Sequence, residues 1–182
     1  MLLAAIGDSI GYKRGHWEFN KDGPSIHKEM LDLTNGEGIL KLELTKRNFP
    51  YSDDTVMHFA TAKGLLESRP TDSLSTICQN VAKHYKACWK QMPGRAAGIT
   101  CKRAIDALYY DGSNWDSWKF EKNGGGCGAS MRSACIGLAF SEKIERLVEV
   151  SIETGRVTHH NPLGYLGGLV AAYFTALAIR GE

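Results

Sequence analysis

Apolar residues recur at helical spacing along most of this chain. In the clearest segment they follow one another at intervals of mostly three and four residues, and Pro93-Gly94 ends the pattern. That segment contains Leu74, Ile77, Cys78, Val81, Tyr85, Cys88, Trp89 and Met92. Similar spacing predicts helices over residues 55–68, 100–110, 130–140 and 142–154, the last closed by Gly155, and Asn161-Pro162 predicts the start of another. Residues 40–44 alone alternate like a strand, so we expect an all-α fold.

Composition narrows the class of protein further. The chain has 182 residues, with 43% hydrophobic and 23% charged residues, which is typical of a globular domain. A formal charge of +2 gives no strongly basic surface for nucleic acid. The five cysteines form no CxxC pair, which argues against a zinc ribbon or a disulfide framework. We therefore expect reduced, buried thiols and a cytoplasmic protein.

Residues 163–179 carry no charge and include Gly164-x-x-x-Gly168. This length lies at the lower edge of a membrane-spanning helix, and the glycine spacing occurs in membrane helix pairs. No second stretch of this kind is present in the sequence. We favour a core helix whose small residues allow close packing over a membrane span.

Two adjacent carboxylates, Asp53 and Asp54, lie between the hydroxyl residues Ser52 and Thr55. Oxygen ligands of this kind suit Mg²⁺. Ser and Asp are also the preferred first residues of any helix, so a purely structural role as helix caps is the alternative. Glu18 is a second acidic position, set between Trp17 and Phe19.

Gly124, Gly125, Gly126 and Gly128 lie immediately before the predicted helix at 130–140. Exposed backbone N–H groups beside a helix N-terminus would form an anion site, with phosphate as the obvious ligand. The motif lacks the lysine of a P-loop and the strand context of a dinucleotide fold. A flexible surface loop is the alternative.

His159 and His160 lie in the turn before the last predicted helix. Adjacent histidines rarely reach one metal together, and no accompanying ligand pattern indicates zinc. One histidine that contacts a ligand and one with a structural role is the simpler interpretation.

The order and spacing of these motifs resemble the ADP-ribosylhydrolase family, and the resemblance spans essentially the whole chain. The motifs are GDSIGY (7–12), WEF (17–19), SDDTVMH (52–58), GRAAG (94–98), GGCGASMR (125–132) and THHNPLGYLG (158–167). The chain looks most similar to protein ADP-ribosylarginine hydrolases. That resemblance implies a helical ADP-ribosylglycohydrolase-type bundle, two Mg²⁺ ions in a cleft, and hydrolysis of the N-glycosidic bond between ADP-ribose and arginine in modified proteins. Mn²⁺ could replace Mg²⁺ in such a site.

The resemblance also assigns roles to individual residues. Ser52, Asp53 and Asp54 match metal ligands, with Asp54 also close to the substrate ribose. Asp53, Asp54 and Glu18 are the implied catalytic residues, although the role of Glu18 as base, ligand or gate stays open. The implied contacts to ADP-ribose come from three loops: Gly98, Ile99 and Thr100; Gly125, Gly126, Cys127, Gly128 and Met131; and Thr158 and His159. Neither nucleic acid nor a membrane is an expected partner.

The chain departs from the family in two respects. It starts inside what should be the first helix, so we expect a few family residues to be missing upstream. Family members continue well beyond this length, and their later half carries a His-Gly-Gly-Asp-Ser-Asp-type motif with further metal ligands, which is absent here. Residues 1–182 therefore match the N-terminal part of a single ADP-ribosylhydrolase domain. We expect this chain by itself to bind Mg²⁺ weakly and to hydrolyse ADP-ribosylarginine poorly or not at all. The alternatives are a non-catalytic ADP-ribose-binding module, such as a truncated isoform or pseudoenzyme, and a purely structural helical protein.

Overall fold

The computed structural model describes residues 1–69 and 71–182. They form eight α-helices joined by loops and 3-10 turns, and there is no strand across these two ranges, which confirms the all-α prediction. The helices are α1 (Leu2–Tyr12), α2 (Gly23–Leu33), α3 (Asp53–Glu67), α4 (Leu74–Cys88), α5 (Ile99–Ala107), α6 (Ala134–Ala139), α7 (Ile144–Arg156) and α8 (Pro162–Arg180). The 3-10 turns are Lys13–Gly15, Ile39–Lys41, Trp89–Gln91 and Cys127–Arg132.

Side-chain caps fix the starts of three long helices. The side chains of Ser52, Ser73 and Asn161 accept hydrogen bonds from backbone N–H groups in the first turns of α3, α4 and α8. Each cap satisfies a donor that has no partner within the helix. Pro162 follows Asn161 at the first position of α8, as predicted.

Three local predictions are wrong. Residues 40–44 form no strand, because no neighbouring strand supplies hydrogen bonds: a 3-10 turn covers Ile39–Lys41, and Leu40 is 96% exposed. The predicted helix at 130–140 is divided into the 3-10 turn Cys127–Arg132 and the shorter α6. Gly155 does not end α7 but lies inside it, and a Cβ there would come within 3.1 Å of the Tyr165 Cβ. Its hydrogen side chain lets α7 and α8 approach each other.

Two clusters of buried side chains hold the helices together. The first joins α3, α4 and α5 through residues that include Met57, Tyr85 and Ile105. The second joins α6, α7 and α8 through residues that include Ile136 and Leu147. Burial of these side chains is the main source of stability in such a fold, at about 25 cal/mol per Å² of apolar surface.

Helix α8 packs through its small residues. Gly164, Gly168, Ala172 and Ala176 are its buried positions, one every four residues. Close packing through these small residues is confirmed, but the expected burial of the whole helix is wrong. The opposite face is open: Leu163 is 79% exposed and Phe174 is 65% exposed. Of the helices in residues 1–69 and 71–182, α8 alone has the length and hydropathy needed to cross a membrane.

All five cysteines are free thiols. Cys78, Cys88, Cys101 and Cys135 are buried as predicted. Cys127 is exposed and lies in the segment of residues 124–128, which we call the glycine-rich loop. Burial raises the pKa of Cys78 and of Cys135 to about 12, so these two thiols stay protonated at neutral pH.

Candidate functional site

The first backbone N–H groups of α3 all have partners within the protein. The Asp53 amide donates to the carbonyl oxygen of Arg95 at 3.2 Å, and the Asp54 amide donates to Ser52 Oγ at 3.1 Å. The Thr55 amide donates to Asp8 Oδ2 at 3.2 Å. The helix cap expected as an alternative is therefore real for Ser52. Asp53 and Asp54 are not needed as caps, so their carboxylates are available to bind a ligand.

Negative charge is concentrated around this turn, which we call the acidic turn (residues 52–55). Burial, acting together with the charges of Asp8 and Glu18, raises the pKa of both Asp53 and Asp54 to about 6. Partial burial and the charge of Asp8 also raise the pKa of Glu18. The side chain of Glu18 is exposed, and it lies close enough to the acidic turn for its charge to act on Asp53 and Asp54. These four carboxylates make no ion pair with Lys, Arg or His among residues 1–69 and 71–182.

The donor chemistry of the acidic turn fits a hard divalent cation. Carboxylate and hydroxyl oxygens without a counter-charge are the ligands that Mg²⁺ prefers, and Mg²⁺ usually keeps several water ligands as well. Within the part of the chain that the structure describes, no group of three or more His, Cys, Asp or Glu residues lies in an arrangement that could hold a metal by itself.

The glycine-rich loop and the turn of residues 158–160, which we call the histidine turn, meet beside the acidic turn. A Cβ at Gly128 would lie 2.5 Å from His159 Cε1, and one at Gly126 would lie 3.7 Å from His159 Nε2. The ring of His159 therefore packs directly against the loop. Burial and the nearby Arg132 lower the pKa of His159 to about 3, so this imidazole is neutral and acts as a hydrogen-bonding group. Its Nδ1 lies 2.8 Å from the Thr158 hydroxyl.

The glycine-rich loop presents free backbone donors. The N–H groups of Gly125 and Gly126 have no hydrogen-bond acceptor anywhere in the described part of the chain. Both residues are exposed, as is Cys127, whereas Gly128 is buried. The Cys135 amide at the start of α6 donates to His58 Nε2 at 3.1 Å, so this amide is not available to a ligand.

The start of α5 borders the same region. The backbone N–H of Gly98 partly offsets the raised pKa of Asp53, which places Gly98 next to that carboxylate. Ile99 is 65% exposed and Thr100 is half-buried. Met131 is also half-buried, but it packs against the α3–α4 core cluster. Partial burial, with the charges of Asp54 and Asp53, raises the pKa of Cys127, so the glycine-rich loop lies near the acidic turn.

A family model described as ADP-ribosylglycohydrolase matches residues 1–182. The chain belongs to the ADP-ribosylglycohydrolase family. Of the residues that the family resemblance singled out, Glu18, Gly98 and Cys127 lie near Asp53 and Asp54, and His159 lies against the glycine-rich loop, whereas Met131 packs against the core cluster.

Curated relatives agree with this assignment. The ADP-ribosylhydrolase ARH1 of Dictyostelium discoideum is 42% identical over 187 residues, which cover 99% of this chain and 47% of the relative. A putative ADP-ribosyl glycohydrolase L444 of Acanthamoeba polyphaga mimivirus is 28% identical and matches 99% of this chain and 36% of its own length. The ADP-ribosylhydrolase ARH3 of Xenopus tropicalis is 27% identical over 100% of this chain and 50% of the relative. The chain spans half or less of the length of these ADP-ribosylglycohydrolase relatives.

Two arginines inside the motifs GRAAG (94–98) and GGCGASMR (125–132) received no individual role from the sequence. Arg95 stacks on Tyr51 with its guanidinium 4.1 Å from the ring centre and also donates to the Tyr51 carbonyl. Arg132, 1% exposed, lies 4.3 Å from the ring centre of Tyr85 and donates to the Thr154 carbonyl at 3.0 Å. Both contacts join segments that are distant in sequence, so the motifs that contain these arginines do not indicate their partners.

Proposed function

We propose that this chain provides the ADP-ribose-binding face and the first metal ligands of a site that hydrolyses the N-glycosidic bond between ADP-ribose and arginine in modified proteins. The observation that carries the proposal is the convergence of unpaired carboxylates with a loop of free N–H groups. Family membership supports hydrolysis of ADP-ribosyl bonds, and the 42% identity to an ADP-ribosylhydrolase ARH1 favours this chemistry over other glycosidases.

Ser52, Asp53 and Asp54 would hold Mg²⁺, with Glu18 close by. Burial of the two aspartates and the absence of a counter-cation favour such a role, because an added cation would relieve their mutual repulsion. A bound Mg²⁺ supplies neutralising charge and a water of lowered pKa. These residues alone would leave most of the coordination to water, and two ions would need further protein ligands. We therefore propose weak Mg²⁺ binding by this chain.

The glycine-rich loop would bind the diphosphate of ADP-ribose. The free N–H groups of Gly125 and Gly126 can donate to phosphate oxygens, and the lack of Cβ atoms lets the ligand approach the backbone. Cys127 and Gly128 follow in the same loop. The ring of His159, held by the Thr158 hydroxyl, packs against this loop. Asp54 and the start of α5, with Gly98, Ile99 and Thr100, would border the ribose.

Bond cleavage requires a water molecule at the anomeric carbon and a departing arginine guanidine. An aspartate whose pKa is about 6 is mostly ionised at neutral pH and can accept a proton from that water. Asp53 and Asp54 would therefore hold and deprotonate the water. Glu18, whose side chain is exposed, would assist this proton transfer or control access to the site.

Calorimetric titration of the chain with ADP-ribose, with and without Mg²⁺, tests the binding half of this proposal. Asp54→Asn should weaken ADP-ribose binding and abolish its dependence on Mg²⁺. The matched control is Asp106→Asn, an exposed aspartate on α5 that pairs only with Lys102. ADP-ribose binding that is absent, or that is unchanged by Asp54→Asn, would contradict the proposal.

Hydrolysis is measured separately, by release of ADP-ribose from an arginine-linked substrate and from an ester-linked one. We expect slow release or none from the arginine-linked substrate by this chain. Release from the arginine-linked substrate at a rate like that of a full-length family enzyme would contradict this expectation, and faster release from the ester would refute the arginine preference. Cytoplasmic localisation, suggested by the free thiols, stays a prediction that imaging of the tagged protein would check.

A further inference from the structure

One carboxylate beside the acidic turn differs from the others in its hydrogen bonds. Asp8, on α1, accepts from the Ser52 amide at 3.0 Å and from the Thr55 amide at 3.2 Å, and both bonds end on the same oxygen, Oδ2. The Thr55 hydroxyl donates to that oxygen as well, at 2.5 Å. Hydrogen bonds to an ionised acceptor are stronger than neutral ones.

These bonds determine how the acidic turn can move. The amides of Ser52 and Thr55 lie on either side of Asp53 and Asp54, so the Asp8 carboxylate clamps the backbone before and after both acids. The remaining amides at this helix start are bound by Arg95 and by the Ser52 side chain. Asp8 is 44 residues away from Ser52 in sequence, and its bonds tie the acidic turn to α1.

We propose that Asp8 is the positioning residue of the acidic turn: it fixes the backbone around Asp53 and Asp54 so that their carboxylates are held in place as part of a cation site. The inference rests on the proposed function for the identity of the site, but the clamp itself can be measured without any ligand. Asp8 acts here through backbone geometry and not as a ligand.

Three variants of the full chain separate these roles. Asp8→Ala removes the acceptor, whereas Asp8→Asn keeps an oxygen that can accept the same bonds but removes the charge. Thr55→Val removes only the hydroxyl donor and keeps the shape of the residue, which provides a milder perturbation if Asp8→Ala unfolds. Asp22→Ala is the matched control, because Asp22 caps α2 through a bond from the Ser25 amide at 3.3 Å and has no role at the acidic turn.

The first readout is hydrogen exchange of the Thr55 and Ser52 amides by NMR, without metal. Asp8→Ala should speed Thr55 exchange by roughly tenfold or more, because the amide loses its only acceptor. Asp8→Asn should restore most of the protection, and Thr55→Val should give a smaller change in the same direction. Asp22→Ala should affect amides of α2 only. Unchanged Thr55 exchange in Asp8→Ala would overturn the inference.

The second readout is Mn²⁺ binding, followed by water proton relaxation, with Mn²⁺ as the probe for the cation site. Asp8→Ala should weaken Mn²⁺ binding roughly tenfold or more, and Asp8→Asn, which loses the charge but keeps the backbone bonds, should weaken it clearly less. If Asp8→Asn protects Thr55 yet weakens Mn²⁺ binding as much as Asp8→Ala does, Asp8 acts on the cation by its charge or as a ligand, and the positioning role is wrong. If the wild-type chain binds no Mn²⁺, the proposed metal site fails, while Thr55 exchange still decides whether Asp8 holds the turn.

Discussion

The contact between the glycine-rich loop and His159 predicts that one glycine in this loop cannot tolerate even a methyl group. At Gly128 an added Cβ would lie 2.5 Å from His159 Cε1, 2.9 Å from His159 Nε2 and 2.8 Å from Cys101 Sγ. Separations below 3.0 Å essentially never occur for real Cβ atoms, so a Gly128→Ala variant must displace these neighbours.

Neither neighbour can move away without cost. His159 is 2% exposed and Cys101 is 3% exposed, so both are packed on all sides. Moving the imidazole would also stretch the bond between its Nδ1 and the Thr158 hydroxyl, now 2.8 Å long. Overpacking of this kind costs about 1–3 kcal/mol in the free energy of unfolding. For a chain of this length the loss corresponds to a fall in Tm of roughly 2–12 °C.

Gly126→Ala is the matched control in the same loop. Its Cβ would lie 3.7 Å from His159 Nε2, an ordinary van der Waals contact, and neither glycine has a positive φ. Circular dichroism melts and urea titrations of the two variants and the wild-type chain provide the comparison. We expect a clear loss of stability in Gly128→Ala and a change within about 0.5 kcal/mol in Gly126→Ala. Equal stability of the two variants would refute the packing of His159 against the loop.

Three further predictions concern stability. Burial raises the pKa of Asp54 to about 6 from its ordinary 3.8. Between these pH values the folded chain retains a proton that the unfolded chain releases, so the free energy of unfolding falls as the pH rises through this window. Asp54→Asn should therefore raise the Tm of the metal-free chain at about pH 7, with a gain of roughly 1–3 kcal/mol that disappears near pH 4; a gain independent of pH would contradict this cause. His58→Phe leaves the buried Cys135 amide without its acceptor and should lower the free energy of unfolding in urea by about 1–3 kcal/mol. The control His84→Phe breaks a pairing with a half-exposed Glu67 and should lower it by under about 1 kcal/mol. On α8, Ala172→Leu should destabilise by about 1–3 kcal/mol, because Ala172 is 0% exposed, whereas Val170→Ala at a 53% exposed position should change the Tm little; similar effects at both positions would mean that the small-residue face is not the packed one.

Helix positions could be read from the sequence because their causes are local. The apolar spacing over 74–92 predicts α4, and Asn161-Pro162 predicts the start of α8, since spacing and caps act within a few residues. The same local signals failed at residues 40–44, where a strand would need a partner that the fold does not supply. They failed again at 130–140, where a 3-10 turn precedes α6 and the Cys135 amide of α6 donates to the distant His58 side chain.

The sequence by itself determined the all-α class, the family and the types of residue available for the site, because these depend on periodicity, capping and the order of short motifs. Only the tertiary structure decided which of those residues act together. Asp8 reaches the acidic turn across 44 residues, and the Arg95 carbonyl reaches Asp53 from another loop. The raised pKa values of Asp53 and Asp54 follow from burial and from acids elsewhere in the chain. Such effects depend on distances in the folded chain, which no local pattern encodes.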